Sequence, residues 1–136
     1  MQKQEEEADW VRGGCIGRGA YGTVNLAARK SNGTVFAVKS VDSASALPSQ
    51  VEALENEIRI LREVYSPYVV GYLGDDTTAS CRNLHMEYLP GGTVADLAKR
   101  DKASAFAGDD VEEGVVRSYT WCILSALRDL HSLGIV

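Results

Sequence analysis

Hydrophobic and polar positions come close to alternating over much of the first ninety residues. Thr23-Val24-Asn25-Leu26-Ala27-Ala28 has two β-branched residues and no helix N-cap before it, and Thr34-Val35-Phe36-Ala37-Val38-Lys39 follows the same pattern. Both predict strands. Ser31-Asn32-Gly33 lies between them, and Asn-Gly is the strongest short hairpin signal, so the two strands should be antiparallel neighbours. Residues 10–16 read as a strand ahead of them, residues 69–74 as a fourth strand and residues 83–88 as a fifth. Residues 75–82 read as a polar connection. The period changes only at Val51, Leu54, Ile58 and Leu61, which recur at helical spacing and form one apolar face. Ser49-Gln50-Val51-Glu52 predicts a capping box at the start of that helix, and Ser66-Pro67-Tyr68 ends it. Glu57 borders the apolar face, while Glu52, Glu55 and Glu63 are assigned to solvent.

Leu89-Pro90-Gly91-Gly92 is a linker by composition, because Pro90 cannot donate to a strand ladder. Thr93 then caps a short helix reaching about residue 100, with Asp96 at its third position to suit the helix dipole. Residues 104–108 form a loop, and residues 110–113 cap a last helix. That helix carries Val115, Tyr119, Cys122, Ala126 and Leu130 at helical spacing, with Gly134 as its terminating glycine. The expected fold is α+β: a five-stranded antiparallel sheet with one packed helix, followed by a linker and two helices. Residues 1–9 are expected to be a disordered, solvated tail.

Composition narrows the function. A formal charge of −5 over 136 residues, with no Lys/Arg cluster, argues against nucleic acid as a partner. The N-terminal residues have no apolar core of a secretory signal, and no stretch approaches the ~20 apolar residues that span a bilayer. No membrane partner is therefore expected. Cys15, Cys81 and Cys122 are far apart and odd in number, which implies neither a disulfide framework nor a zinc site. His85 and His131 lack metal-ligand spacing and are read as structural.

The chemistry lies in Ile16-Gly17-Arg18-Gly19-Ala20-Tyr21-Gly22-Thr23-Val24. Glycines at 17, 19 and 22 keep side chains away, so backbone N–H groups can approach an anion closely, typically a phosphate. A dinucleotide-binding fingerprint would need a helix directly after the glycines and an acid about 20 residues on. Asp42 has roughly that spacing. The strand after Gly22 and the Asn32-Gly33 hairpin contradict it, because here the glycines join two antiparallel strands. That is the layout of a flap over a nucleotide, with Lys39 following on the next strand.

These motifs, with Trp10, Ala37-Val38-Lys39 and Met86-Glu87-Tyr88-Leu89-Pro90-Gly91-Gly92, resemble the protein kinases, most closely MAP kinase kinase kinases of a plant type. The resemblance covers residues 10–136. It implies a kinase small lobe over residues 10–88, a hinge at 89–92 and the start of the large lobe over 93–136. It implies ATP as ligand, with Ile16 to Val24 over the phosphates and Tyr21 at the tip. Val24 and Ala37 would lie above the adenine, and Met86 behind it. The backbone of Glu87 and Leu89 would meet the adenine edge. Glu57 matches the helix glutamate that holds the strand lysine, here Lys39, on the phosphates. The implied setting is the cytoplasm, with the nucleus as the other option, and a downstream kinase as substrate.

The chain departs from the family pattern in one respect. It contains neither His-Arg-Asp nor Asp-Phe-Gly, so the residues that serve as catalytic base and Mg²⁺ ligands are not among these 136. Residues 1–136 alone are expected to transfer no phosphate, to bind ATP weakly without a response to Mg²⁺, and to self-associate through the last helix. The reading favoured is the ATP-binding portion of a Ser/Thr kinase in a phosphorylation cascade. The alternative is a non-catalytic kinase-like module that binds a partner kinase.

Overall fold

The computed structural model describes residues 7–19, 22–103 and 113–136. Ala20 and Tyr21, the 104–108 loop, the start of the 110–113 cap and most of the N-terminal tail lie outside them. The chain divides into two compact units, one reaching Tyr65 and resuming at Val70–Tyr88, the other made of Ser66–Val69 and Leu89–Val136.

The first unit is a five-stranded antiparallel sheet in the order β1-β2-β3-β5-β4, with helix α1 between β3 and β4 in sequence. The strands are β1 (Trp10–Gly19), β2 (Gly22–Arg29), β3 (Val35–Asp42), β4 (Tyr72–Thr77) and β5 (Cys81–Met86), and α1 is Pro48–Glu63. Gly33 turns the β2–β3 hairpin at φ 71°, its N–H donating to the Arg29 carbonyl, while Asn32 Oδ1 accepts from the Thr34 N–H. β1 runs further than expected, up to the second glycine, and its register with β2 shifts on both sides of Cys15.

Alternation along β3 sorts the two cores. Phe36 and Val38 face one side, where they pack with Trp10 and Ala27. The Trp10 and Phe36 rings both abut His85, at 5.3 and 5.0 Å. Ala37, Lys39 and Val41 face the other side, toward which α1 turns its buried Leu54, Ile58 and Leu61. Val51, the fourth member of the expected stripe, is half-buried.

Two expectations need correction. The fourth and fifth strands begin three and two residues away from where the pattern put them, and Asp75, Asp76 and Arg82 lie within strands instead of in a connection. Their charges are tolerated there because each is partnered. Arg62 and Arg82 donate to Asp75 at 2.6 and 2.9 Å, and Trp10 Nε1 and Asn83 Nδ2 donate to Asp76 at 2.6 and 2.7 Å. The second correction is the cap of α1. Pro48 occupies the first turn, which makes Leu47 the N-cap, and Gln50 Oε1 reaches back to accept from the Leu47 N–H at 2.8 Å. Ser49 and Glu52 do not form the box. Glu55 is exposed, as expected, and it also pairs with Arg82.

His85 is buried, and its Nε2 lies 3.3 Å from Asp76 Oδ2 without making a hydrogen bond. Burial is the largest influence and lowers its pKa below 6.5; Arg29 adds to this, and Asp76 and Asp75 oppose it. Folding therefore favours neutral His85, and the unfolded chain takes up a proton first as pH falls. Stability of the sheet should be fully present above about pH 6.5 and decline below it. His85→Phe should flatten that decline, measured by thermal unfolding across pH 5–8. An unchanged pH profile in the variant would contradict the assignment.

The second unit holds α2 (Val94–Ala103) and α3 (Glu113–Ser132). Thr93 and Asp96 form the reciprocal cap: Asp96 Oδ2 accepts from the Thr93 N–H and Thr93 Oγ1 from the Asp96 N–H. Gly134, at φ 76°, ends α3 with its N–H on the His131 carbonyl, and the Ile135 N–H bonds the Leu130 carbonyl. Ser66 Oγ donates to Asp129 Oδ2 at 2.6 Å, holding that carboxyl below its ordinary pKa. The stripe expected to be apolar is only partly covered. Val115, Ala126 and Leu130 are half-buried, and Tyr119 and Cys122 are exposed.

Candidate functional site

The site follows from register. Val24 is paired with Lys39, Lys39 with Leu84, and Leu84 with Asp75, so one row of side chains crosses four strands on the face beneath α1. The neighbouring row pairs Leu26 with Ala37, and Ala37 with Met86. Val24, Ala37, Lys39 and Met86 therefore share a face. Thr23 and Ser40 belong to the opposite one.

Lys39 does not stand alone on that face. Its Nζ donates to Glu57 Oε2 at 2.8 Å, and the two side chains remain 25% and 36% exposed. That exposure is low enough to fix the ammonium and high enough for an anion to reach it. A lysine on a flexible stem needs such an anchor to serve as a fixed charge. Glu57 can provide it because α1 places it beside, and not within, the stripe of Leu54, Ile58 and Leu61.

The glycines divide into two kinds. Gly22 lies at φ 137°, and a Cβ there would be 2.3 Å from the Ser40 carbonyl oxygen, so only glycine fits. Gly19 has nothing within 4 Å of an added Cβ and no positive φ. Gly17 would meet only Val24, at an ordinary 3.8 Å. Gly22 thus closes the strand-to-strand turn onto β3, while Gly17 and Gly19 leave backbone open to an approaching group. Ile16, Arg18 and Gly19 are exposed. A hollow of about 610 Å³ near these glycines opens among Arg12, Ser40 and Asp42, side chains of the face opposite Lys39.

At the end of β5, the Glu87 N–H donates to the Gly71 carbonyl at 2.9 Å, and its carboxylate accepts from the Gly71 N–H at 3.1 Å. Glu87 is thereby fixed just after Met86. Leu89 follows in the linker, where Pro90 and Gly91 make a turn. Sequence reasoning did not single out Asp75, Arg82, Glu55 and Arg62, which bind α1 to β4 and β5. In the sequence Asp75 and Arg82 fell in the polar connection and Glu55 was assigned to solvent, so no local pattern marked them.

The protein kinase domain family matches residues 10–136. The chain is 39% identical over 133 residues to mitogen-activated protein kinase kinase kinase 17 of Arabidopsis thaliana, covering 94% of this chain and 33% of that protein. It is 35% identical over 139 residues to mitogen-activated protein kinase kinase kinase 1 of Mus musculus, covering 99% of this chain and 9% of that one. With mitogen-activated protein kinase kinase kinase A of Dictyostelium discoideum it shares 33% identity over 132 residues, 93% of this chain and 13% of the other. The chain thus spans a third or less of the length of each of these relatives. With the glycine turn, the lysine–glutamate pair and a family match over nearly its whole length, the chain belongs to the protein kinase domain family.

Proposed function

We propose that these residues form the ATP-binding part of a Ser/Thr protein kinase of the MAP kinase kinase kinase type, whose substrate is a downstream kinase in a cytoplasmic phosphorylation cascade. The observation that carries the reading is the 2.8 Å Lys39–Glu57 pair on the same sheet face as Val24, Ala37 and Met86. In this reading Lys39 holds phosphate oxygens, Glu57 keeps the ammonium in place, and the open amides around Gly17 and Gly19 complete the cradle. Val24 and Ala37 cover the adenine, Met86 closes the back, and the backbone of Glu87 and Leu89 meets its edge. ATP supplies the transferable phosphoryl group. Among the described residues no three His, Cys, Asp or Glu side chains cluster as metal ligands would.

The two kinds of glycine provide the test. In the intact protein, Gly19→Val should leave thermal unfolding nearly unchanged, because a Cβ at this position meets nothing within 4 Å. It should weaken nucleotide binding about tenfold, which is roughly 1.4 kcal/mol, by keeping backbone from a phosphate. Gly22→Ala should disturb the turn itself and lower both affinity and stability. Titration with a fluorescent nucleotide reads the affinity. Unchanged affinity in Gly19→Val would mean that the glycines serve only as a hairpin turn.

A further inference from the structure

Helix α1 is gripped on both flanks of its buried stripe. At 100° per residue, Glu57 falls on one side of Leu54, Ile58 and Leu61, and Glu55 and Arg62 fall on the other. The first flank meets Lys39 on β3. The second meets a chain of alternating charge that crosses three elements. Arg82 of β5 donates from Nε and Nη2 to the Glu55 carboxylate of α1, and from Nη2 to Asp75 Oδ1 of β4 at 2.9 Å. Arg62 of α1 donates to the other Asp75 oxygen at 2.6 Å, and the Tyr72 hydroxyl donates to it as well. The Arg62 guanidinium also lies 5.8 Å from the Tyr72 ring centre.

Asp75 is the hub. Its side chain is only 15% exposed and Arg82's 19%. Burial by itself would raise the Asp75 pKa, but hydrogen bonds from Tyr72, Arg62 and Arg82 outweigh it and bring the carboxyl down to about 2. The carboxylate is thus ionised and saturated with donors from both α1 and the sheet. Asp75 also stands in the same cross-strand row as Lys39, with Leu84 between them. A helix resting on an apolar stripe alone can roll, because dispersion and burial are non-directional. Bidentate and charge-assisted hydrogen bonds are directional and resist rolling.

We infer that Asp75, together with Arg82, is a positioning residue: it fixes the rotation of α1 so that Glu57 stays on Lys39. Its importance for activity rests on the reading of Lys39 given above. Removing Asp75's charge lets α1 turn about its stripe, and the Lys39 ammonium loses its partner although neither Lys39 nor Glu57 has changed.

The test uses the intact protein without nucleotide, so its result does not depend on whether these residues bind ATP. An amine-reactive ester labels lysines at fixed pH, and mass spectrometry follows Lys39, with Lys30 as internal control. Asp75→Asn should speed Lys39 labelling about tenfold, as expected for coupling between residues joined in one network, and leave Lys30 unchanged. In a Glu57→Gln background the same substitution should add nothing, because the pair it acts through is already broken. A merely structural role would instead accelerate labelling in both backgrounds. If Asp75→Asn does not fold, Arg62→Gln, which leaves the Asp75–Arg82–Glu55 links in place, should give a smaller acceleration with the same dependence on Glu57. No acceleration, or an acceleration independent of Glu57, would overturn the inference.

Discussion

Phe36→Ala should lower the stability of the sheet by about 3–5 kcal/mol, the range for removing a fully buried aromatic ring. Phe36 is completely buried. Its ring meets Trp10 edge-on at 6.1 Å and His85 at 5.0 Å, and the Arg29 guanidinium covers it at 4.9 Å. The strands on either side limit how far these neighbours can close a cavity, so the full cost should appear. Small domains have about 5–15 kcal/mol in total, and one substitution on the face away from Lys39 should leave little of it. Urea unfolding followed by tryptophan fluorescence measures the loss, since Trp10 reports from the same cluster. A loss below about 1 kcal/mol would mean that Trp10, Phe36 and His85 do not form the core described.

The two hairpin strands were legible because everything that makes them is local: alternation, β-branched residues and Asn32-Gly33. The Lys39–Glu57 pair was legible only through resemblance. Spacing placed Glu57 beside an apolar stripe and left Glu55 to solvent, but nothing local shows which of them meets a lysine. The two look alike, and each finds a cation, one on β3 and one on β5. The boundaries of β4 and β5 failed for a related reason. Asp75-Asp76 looks like loop until Arg62, Arg82, Trp10 and Asn83 converge on it from other elements. Such partners are remote in sequence and leave no local signal. The N-cap of α1 was a different kind of miss. Pro48 favours the first helical position and pointed to Leu47 all along.

Among the glycines, the motif treats positions 17, 19 and 22 alike, but the structure does not. Of these three, only Gly22 is required by the backbone. The freedom at Gly17 and Gly19 has no use in packing, which favours a ligand as the reason for glycine there.

In the function proposed, Lys39, held by Glu57, carries the charge that phosphoryl transfer requires. Lys39→Met keeps a long apolar stem and removes only the ammonium, and Lys39 is partly exposed, so the fold should survive. Removing one preorganised charge from a transferring phosphoryl group costs about 10²–10³ in rate. The direct measurement is transfer of labelled γ-phosphate to a protein substrate by the intact protein, wild type against Lys39→Met, with thermal unfolding of both as control. A fall of about 10²–10³ in rate, or a complete loss, at unchanged stability is the result predicted here. Wild-type turnover in a folded Lys39→Met protein would contradict it.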